Sequence, residues 1–106
     1  PESAVADAMS AHPELVAGRG RDATAIMEAI PGSIVKDGAE GFLAIALPDG
    51  SALAVTIADG AMRATVPAAR PALRALGVSE EQVAGLPAQD VLGWGEPVGA
   101  VVGLEV

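Results

Sequence analysis

Lys36-Asp37-Gly38-Ala39-Glu40-Gly41 sets one ammonium and two carboxylates between glycines, directly ahead of an apolar hairpin running from Phe42 to Ile57. An ammonium at a strand end can bind a carboxylate or stabilise negative charge that develops during a reaction. The competing reading of Lys36 is a solvated lysine paired with Asp37 or Glu40, an arrangement of small energetic value. Glu40 could accept hydrogen bonds from a substrate amine or cap a turn, and the turn is the favoured reading. Upstream, Gly18-Arg19-Gly20-Arg21 is a flexible loop whose guanidinium groups could clamp a carboxylate or bridge to local acidic groups.

Other candidates fall to geometry. Ser33-Ile34-Val35-Lys36 has the S-x-x-K spacing of a lysine-activated serine. That chemistry needs a helix, where residues three apart share a face; on a strand they point to opposite faces, and Ser33 follows Pro31-Gly32 in β-branched sequence. Asp59-Gly60 reads as a turn or helix cap. His12 has no second histidine and the chain has no cysteine, so a metal site is not expected from this chain. Trp94, between Gly93 and Gly95, could plug a core gap, cover a pocket or sit in an interface; the core plug is the leading reading.

The elements that must hold these groups follow from periodicity. Ser3 to Ala11 reads as a helix ended by His12-Pro13, and Glu14 to Ala17 as one turn. Asp22 is expected to cap a helix over Ala23 to Ile30, which Pro31-Gly32 stops. Ser33 to Lys36 is a short strand. In the hairpin, Leu43, Ile45 and Leu47 face one way and Phe42, Ala44 and Ala46 the other, with Leu53, Val55 and Ile57 alternating against Ala52, Ala54 and Thr56. Both faces are apolar, so both are expected to be covered, with a helix lying close on the alanine face. Met62, Val66, Ala69, Leu73 and Leu76 trace a helical stripe that Pro71 should kink or delay. Ser79-Glu80-Glu81-Gln82 fits a capping box for a helix through Leu86. Residues 98–106 alternate as a final strand, where Gly99 and Gly103 admit a neighbouring backbone. The fold class is therefore α+β, an antiparallel sheet of three to four strands packed with helices in one domain spanning residues 1–106.

Composition narrows the partners. The 106 residues are 51% hydrophobic but 2% aromatic, and 23 are alanine, so backbones must approach closely. A mean hydropathy of +0.44 points to apolar surface covered by another chain or by further sequence. The net charge of -8 and six scattered basic residues argue against nucleic acid and against an anionic membrane surface. No apolar run approaches the roughly 20 residues of a spanning helix, and Pro1-Glu2-Ser3 is not a basic leader, which makes cytoplasm the default expectation.

Several blocks, taken in order, resemble the C-terminal part of the bacterial L-asparaginase II family, the type of the rhizobial thermolabile enzyme. They are Ala8 to Gly18 with its H-P-E-L-V string, Gly20 to Met27, Lys36 to Gly41 as K-x-G-A-E-G, Ala46 to Gly50, Ile57 to Gly60, Leu73 to Gly77 and Gly95 to Gly99. The resemblance implies hydrolysis of L-asparagine to L-aspartate and ammonia on a serine-β-lactamase or glutaminase-like fold. It places Lys36 and Gly38 on the K-x-G strand as a source of charge and backbone donors; Glu40 and Arg21 remain substrate-binding candidates on their own chemistry. It also implies that the nucleophilic serine-lysine pair and a zinc site belong to an N-terminal portion, so the chain should be inert alone. A homodimer, or association with that N-terminal portion, is then expected. Thr56 stands where members often carry lysine and Ala23 where some carry cysteine, which puts any role of those positions in doubt. The alternative is a non-catalytic binding or dimerisation module that keeps half of the fold.

Overall fold

A computed structural model describes residues 2–105. Among these, the order is α1 (Glu2–Ala11), α2 (Pro13–Val16), α3 (Asp22–Ala29), β1 (Ile34–Gly38), β2 (Phe42–Ala46), β3 (Ala52–Thr56), a 3-10 turn (Met62–Ala64), α4 (Thr65–Ala75), α5 (Glu80–Ala84), β4 (Asp90–Gly93) and β5 (Glu96–Ala100). The class is α+β, as expected. The strands form two antiparallel sheets, however: β1-β2-β3 and a separate β4-β5 hairpin. No helix among the described residues is long and apolar enough to cross a membrane.

The core lies on one face of the larger sheet. Val35, Leu43, Ile45 and Leu47 are buried against Ile26, Met27 and Ile30 of the α3 segment, against Val66, Ala69 and Leu73 of α4, and against Val83 and Leu86. Each such side chain withdrawn from water contributes about 1.5–3 kcal/mol, which is why the helices settle on the large-residue face. The expectation of a helix on the alanine face is thereby overturned. Ala46, Ala52, Ala54 and Thr56 are exposed, and Phe42 is 36% exposed. Methyl groups offer a helix too little area to compete with the leucine and isoleucine face.

Local details follow the side-chain chemistry. Asp22 is the first residue of α3, and Arg21 takes the cap position without a side-chain bond, so the predicted Asp22 cap is corrected by one position. Gly32, at φ +87°, turns the chain so that Ser33 N–H reaches the Ile30 carbonyl at 3.0 Å. Ser79 does cap α5, accepting from Gln82 N–H at 3.2 Å, while its hydroxyl meets Gln82 Oε1 rather than completing the reciprocal backbone bond of a full capping box.

Helix α4 begins at Thr65 and runs through Pro71, so the proline does not delay its onset. Proline at 71 cannot donate to the carbonyl one turn earlier, at Pro67. The tail passes there: a Cβ on Gly103 would collide with the Pro67 carbonyl oxygen. Gly103 thus meets the expected neighbouring backbone, whereas Gly99 faces open space. The final strand is confined to Glu96–Ala100, and its partner β4 has no counterpart in the sequence reading. The hairpin turns at Trp94-Gly95 with both φ values positive, 53° and 80°. Trp94 is fully exposed at its tip, which overturns the core-plug reading.

Candidate functional site

Strand β1 presents alternate residues to opposite sides of the sheet. Val35 is buried on the core side; Ile34, Lys36 and Gly38 stand on the open side, opposite Ala46, Ala44 and Phe42 respectively. The same alternation separates Lys36 from Ser33. Ser33 is fully buried and its hydroxyl has no hydrogen-bond partner, so it is neither accessible nor paired with a base.

Lys36 Nζ donates to the Asp37 backbone carbonyl at 2.7 Å and to Asp37 Oδ1 at 3.3 Å. Arg21 Nη2 donates to the other carboxylate oxygen of Asp37 at 2.9 Å. Asp37 is the least exposed of the three, with 20% of its side chain accessible against 60% for each cation. Burial raises the Asp37 carboxyl, but the hydrogen bonds from Arg21 and Lys36 outweigh it, and the group is held below its ordinary range. Asp37 therefore gathers two cations at the mouth of the β1-β2 turn: the Lys36 pair is the competing reading made from sequence, and Arg21 is the partner not assigned there. The signal available for Asp37 was its place between the lysine and a glycine.

Arg21, Lys36, Asp37, Gly38, Ala39 and Met62 line a shallow groove of about 400 Å³. Three of the four candidate residues, Arg21, Lys36 and Gly38, thus meet in one place. Gly38 has no side chain to spare: a Cβ would approach the Phe42 ring to 3.0 Å. Glu40 stands apart, exposed in the turn with a left-handed backbone at φ 63°. Its backbone packs beside Gly60, so the Glu40-Gly41 and Asp59-Gly60 turns support one another. Arg19 lines a neighbouring cavity of about 550 Å³ with Glu14, Asp22 and Glu28, and Arg21 borders both.

The remaining polar groups have structural partners. Asp59 accepts from Ala61 N–H at 2.9 Å and pairs with Arg63 at 3.1 Å, which together lower its pKa and make it a turn cap. Thr24 donates to the Gly18 carbonyl, Thr65 to that of Met62, and Ser51 to Asp49. Arg70, unassigned from sequence, donates to the carbonyls of Val83, Leu86 and Pro87 at 3.1, 2.8 and 2.8 Å, tying the end of α5 to α4. His12 meets Glu14 at 4.0 Å. Among the described residues no three histidine, cysteine, aspartate or glutamate side chains converge as a metal site, so these residues do not fit the zinc that the resemblance places upstream.

The fold and the groove define an α+β domain that carries a cationic rim beside an uncovered apolar sheet. The family model for L-asparaginase II matches residues 1–102, nearly the whole chain. This chain belongs to the L-asparaginase II family. No curated protein matches it significantly.

Proposed function

We propose that the chain is the C-terminal part of an L-asparagine amidohydrolase, the K-x-G half of a serine-β-lactamase-like arrangement, and that it supplies one wall of the site. The observation that carries this reading is the exposed Lys36 ammonium on the open sheet face, one alternation from Gly38. In the reaction, water cleaves the β-amide of L-asparagine to give L-aspartate and ammonia. Negative charge gathers on the amide oxygen as the carbonyl carbon becomes tetrahedral, and a fixed ammonium stabilises that charge far better than bulk water can. Lys36 takes this role, Gly38 lets the substrate approach the strand backbone and Arg21 receives the α-carboxylate, while Glu40, outside the groove, holds the turn. The burial of Ser33 and the absence of a base beside it among the described residues remove the S-x-x-K string as the nucleophile, and the resemblance puts the nucleophile in an N-terminal portion.

The test is ammonia release from L-asparagine. The purified chain is expected to release none, and turnover at an ordinary enzymatic rate would refute the half-site reading. In a longer polypeptide that contains this segment and hydrolyses asparagine, Lys36→Met should lower kcat by about 10²–10³-fold, the cost of one oxyanion-stabilising donor. An unchanged kcat would remove Lys36 from the mechanism. A second reading, a non-catalytic association module, is favoured by the open alanine face and the apolar β4-β5 hairpin. It predicts self-association without turnover in either setting.

A further inference from the structure

Met62 is the one large apolar side chain among the residues that line the groove with Arg21, Lys36, Asp37, Gly38 and Ala39. The 3-10 turn that it opens is remote in sequence from Arg21 and from β1, and the side chain is 38% exposed rather than packed in the core. A single exposed apolar residue is ordinary; this one is set apart by how firmly it is aimed. Asp59 accepts from Ala61 N–H at 2.9 Å and pairs with Arg63 at 3.1 Å, on either side of Met62, and the Thr65 hydroxyl donates to the Met62 carbonyl at 2.8 Å. Gly60 packs against the backbone of Glu40 and Gly41, so the turn that carries Met62 is held backbone to backbone on the turn that ends β1.

The charged side of the groove is short. Arg21 Nη2 and Lys36 Nζ meet the two oxygens of one carboxylate, that of Asp37, at 2.9 and 3.3 Å, so the cations stand no further apart than one bridged carboxylate allows. Both keep donors for a ligand. Among the described residues Lys36 spends two of its three N–H donors on Asp37 and Arg21 one of its five, and 60% of each side chain is accessible. A ligand that offers a carboxylate to Arg21 and an amide oxygen to Lys36 at once must keep those groups close. In L-asparagine only Cα and Cβ separate them; L-glutamine inserts a further methylene.

We propose that Met62 sets the length of side chain that the groove accepts, favouring the β-amide of L-asparagine over the γ-amide of L-glutamine; this rests on the amidohydrolase reading of the groove. With the substrate's ends fixed on Arg21 and Lys36, the extra methylene of glutamine has to bulge away from the cations, and the apolar wall it meets is the Met62 thioether. The unbranched side chain packs on the β-methylene of asparagine and fills the volume that a longer substrate would need. The other lining groups cannot make this distinction. Arg21 and Lys36 meet the same functional groups in both amides, Asp37 is engaged with the two cations, Ala39 offers one methyl and Gly38 none.

The quantity to measure is the ratio of kcat/KM for L-asparagine to that for L-glutamine, in a longer polypeptide that contains this segment and hydrolyses asparagine. One methylene in an apolar pocket is worth about 10–200-fold, so Met62→Ala should lower the ratio about tenfold or more, chiefly by a gain on glutamine. Met62→Leu, which keeps the volume, should recover most of the selectivity. Lys36→Met should depress both amides together and leave the ratio in place. Circular dichroism checks that each variant is folded. An unchanged ratio in Met62→Ala, with the Lys36→Met loss present, overturns the proposal and spares the amidohydrolase reading; an undiminished rate in Lys36→Met overturns that reading and the proposal with it. In the 106-residue chain, the Met62 methyl resonance should move on addition of L-asparagine together with the Gly38 amide, and less with L-glutamine. A silent methyl beside a responding Gly38 overturns the proposal alone, and silence of both overturns it together with the groove as a site.

Discussion

Gly41→Ala tests how the candidate site is held in place. Gly41 has φ +74°, and a Cβ there would lie 2.8 Å from the Ile57 Cβ and 3.0 Å from the Gly60 carbonyl carbon. Its own carbonyl accepts from Ile57 N–H at 2.9 Å, so the turn cannot move without breaking a bond to the strand end. Left-handed backbone costs a residue with a Cβ about 1 kcal/mol. Forcing a methyl into a packed backbone contact adds about 1–3 kcal/mol, while reduced freedom of the unfolded chain returns about 0.4–1 kcal/mol. The net loss is about 1–4 kcal/mol, a large share of the ~5–15 kcal/mol that holds a domain together. Gly50→Ala is the control: φ is +91° but nothing lies within 4 Å of its Cβ, so only the backbone cost applies. Urea unfolding with a common m-value should place Gly41→Ala well below Gly50→Ala. Equal losses in the two variants would refute the reasoning, because strain alone would then account for both.

Asp37→Asn removes the carboxylate that gathers Arg21 and Lys36. The native carboxyl is held below its ordinary value of 3.8, so its contribution is present above that pH and is lost as pH falls through the lowered folded value. The variant should be less stable than the parent at neutral pH, with the gap closing below about pH 4; urea midpoints at several pH values check this, and a constant gap would contradict it. Arg70→Lys keeps the charge but cannot fork to three carbonyls. It should cost about 2–3 kcal/mol in thermal unfolding, with faster amide exchange at Ala84, Gly85, Leu86 and Ala88.

The legible part of the fold was whatever burial dictates through spacing. Ile26, Met27 and Ile30 marked α3, the alternation from Phe42 to Ile57 marked the β2-β3 hairpin, and Ser79 to Gln82 marked the start of α5. Alternation also separated Lys36 from Ser33 correctly. It could not say which face of the sheet would be covered, because that choice depends on the area each face offers and on where the helices can reach. Trp94 misled for a related reason: a tryptophan between glycines reads as core filler, and only the turn geometry puts it outside. Arg70 and the Arg21 contact of Asp37 were hidden because the partners are distant in sequence, whereas the neighbouring Lys36–Asp37 pair was legible.

Register joins the site to the fold. The pairing of Val35 with Ile45 and of Lys36 with Ala44 puts the valine into the core and the ammonium on the open face. A slip of β1 by one residue would exchange their faces, burying the ammonium among Leu43, Ile45 and Leu73 without a counterion. That arrangement is costly enough that the charge itself disfavours the wrong register. Lys36 consequently helps decide which side of the sheet is left open.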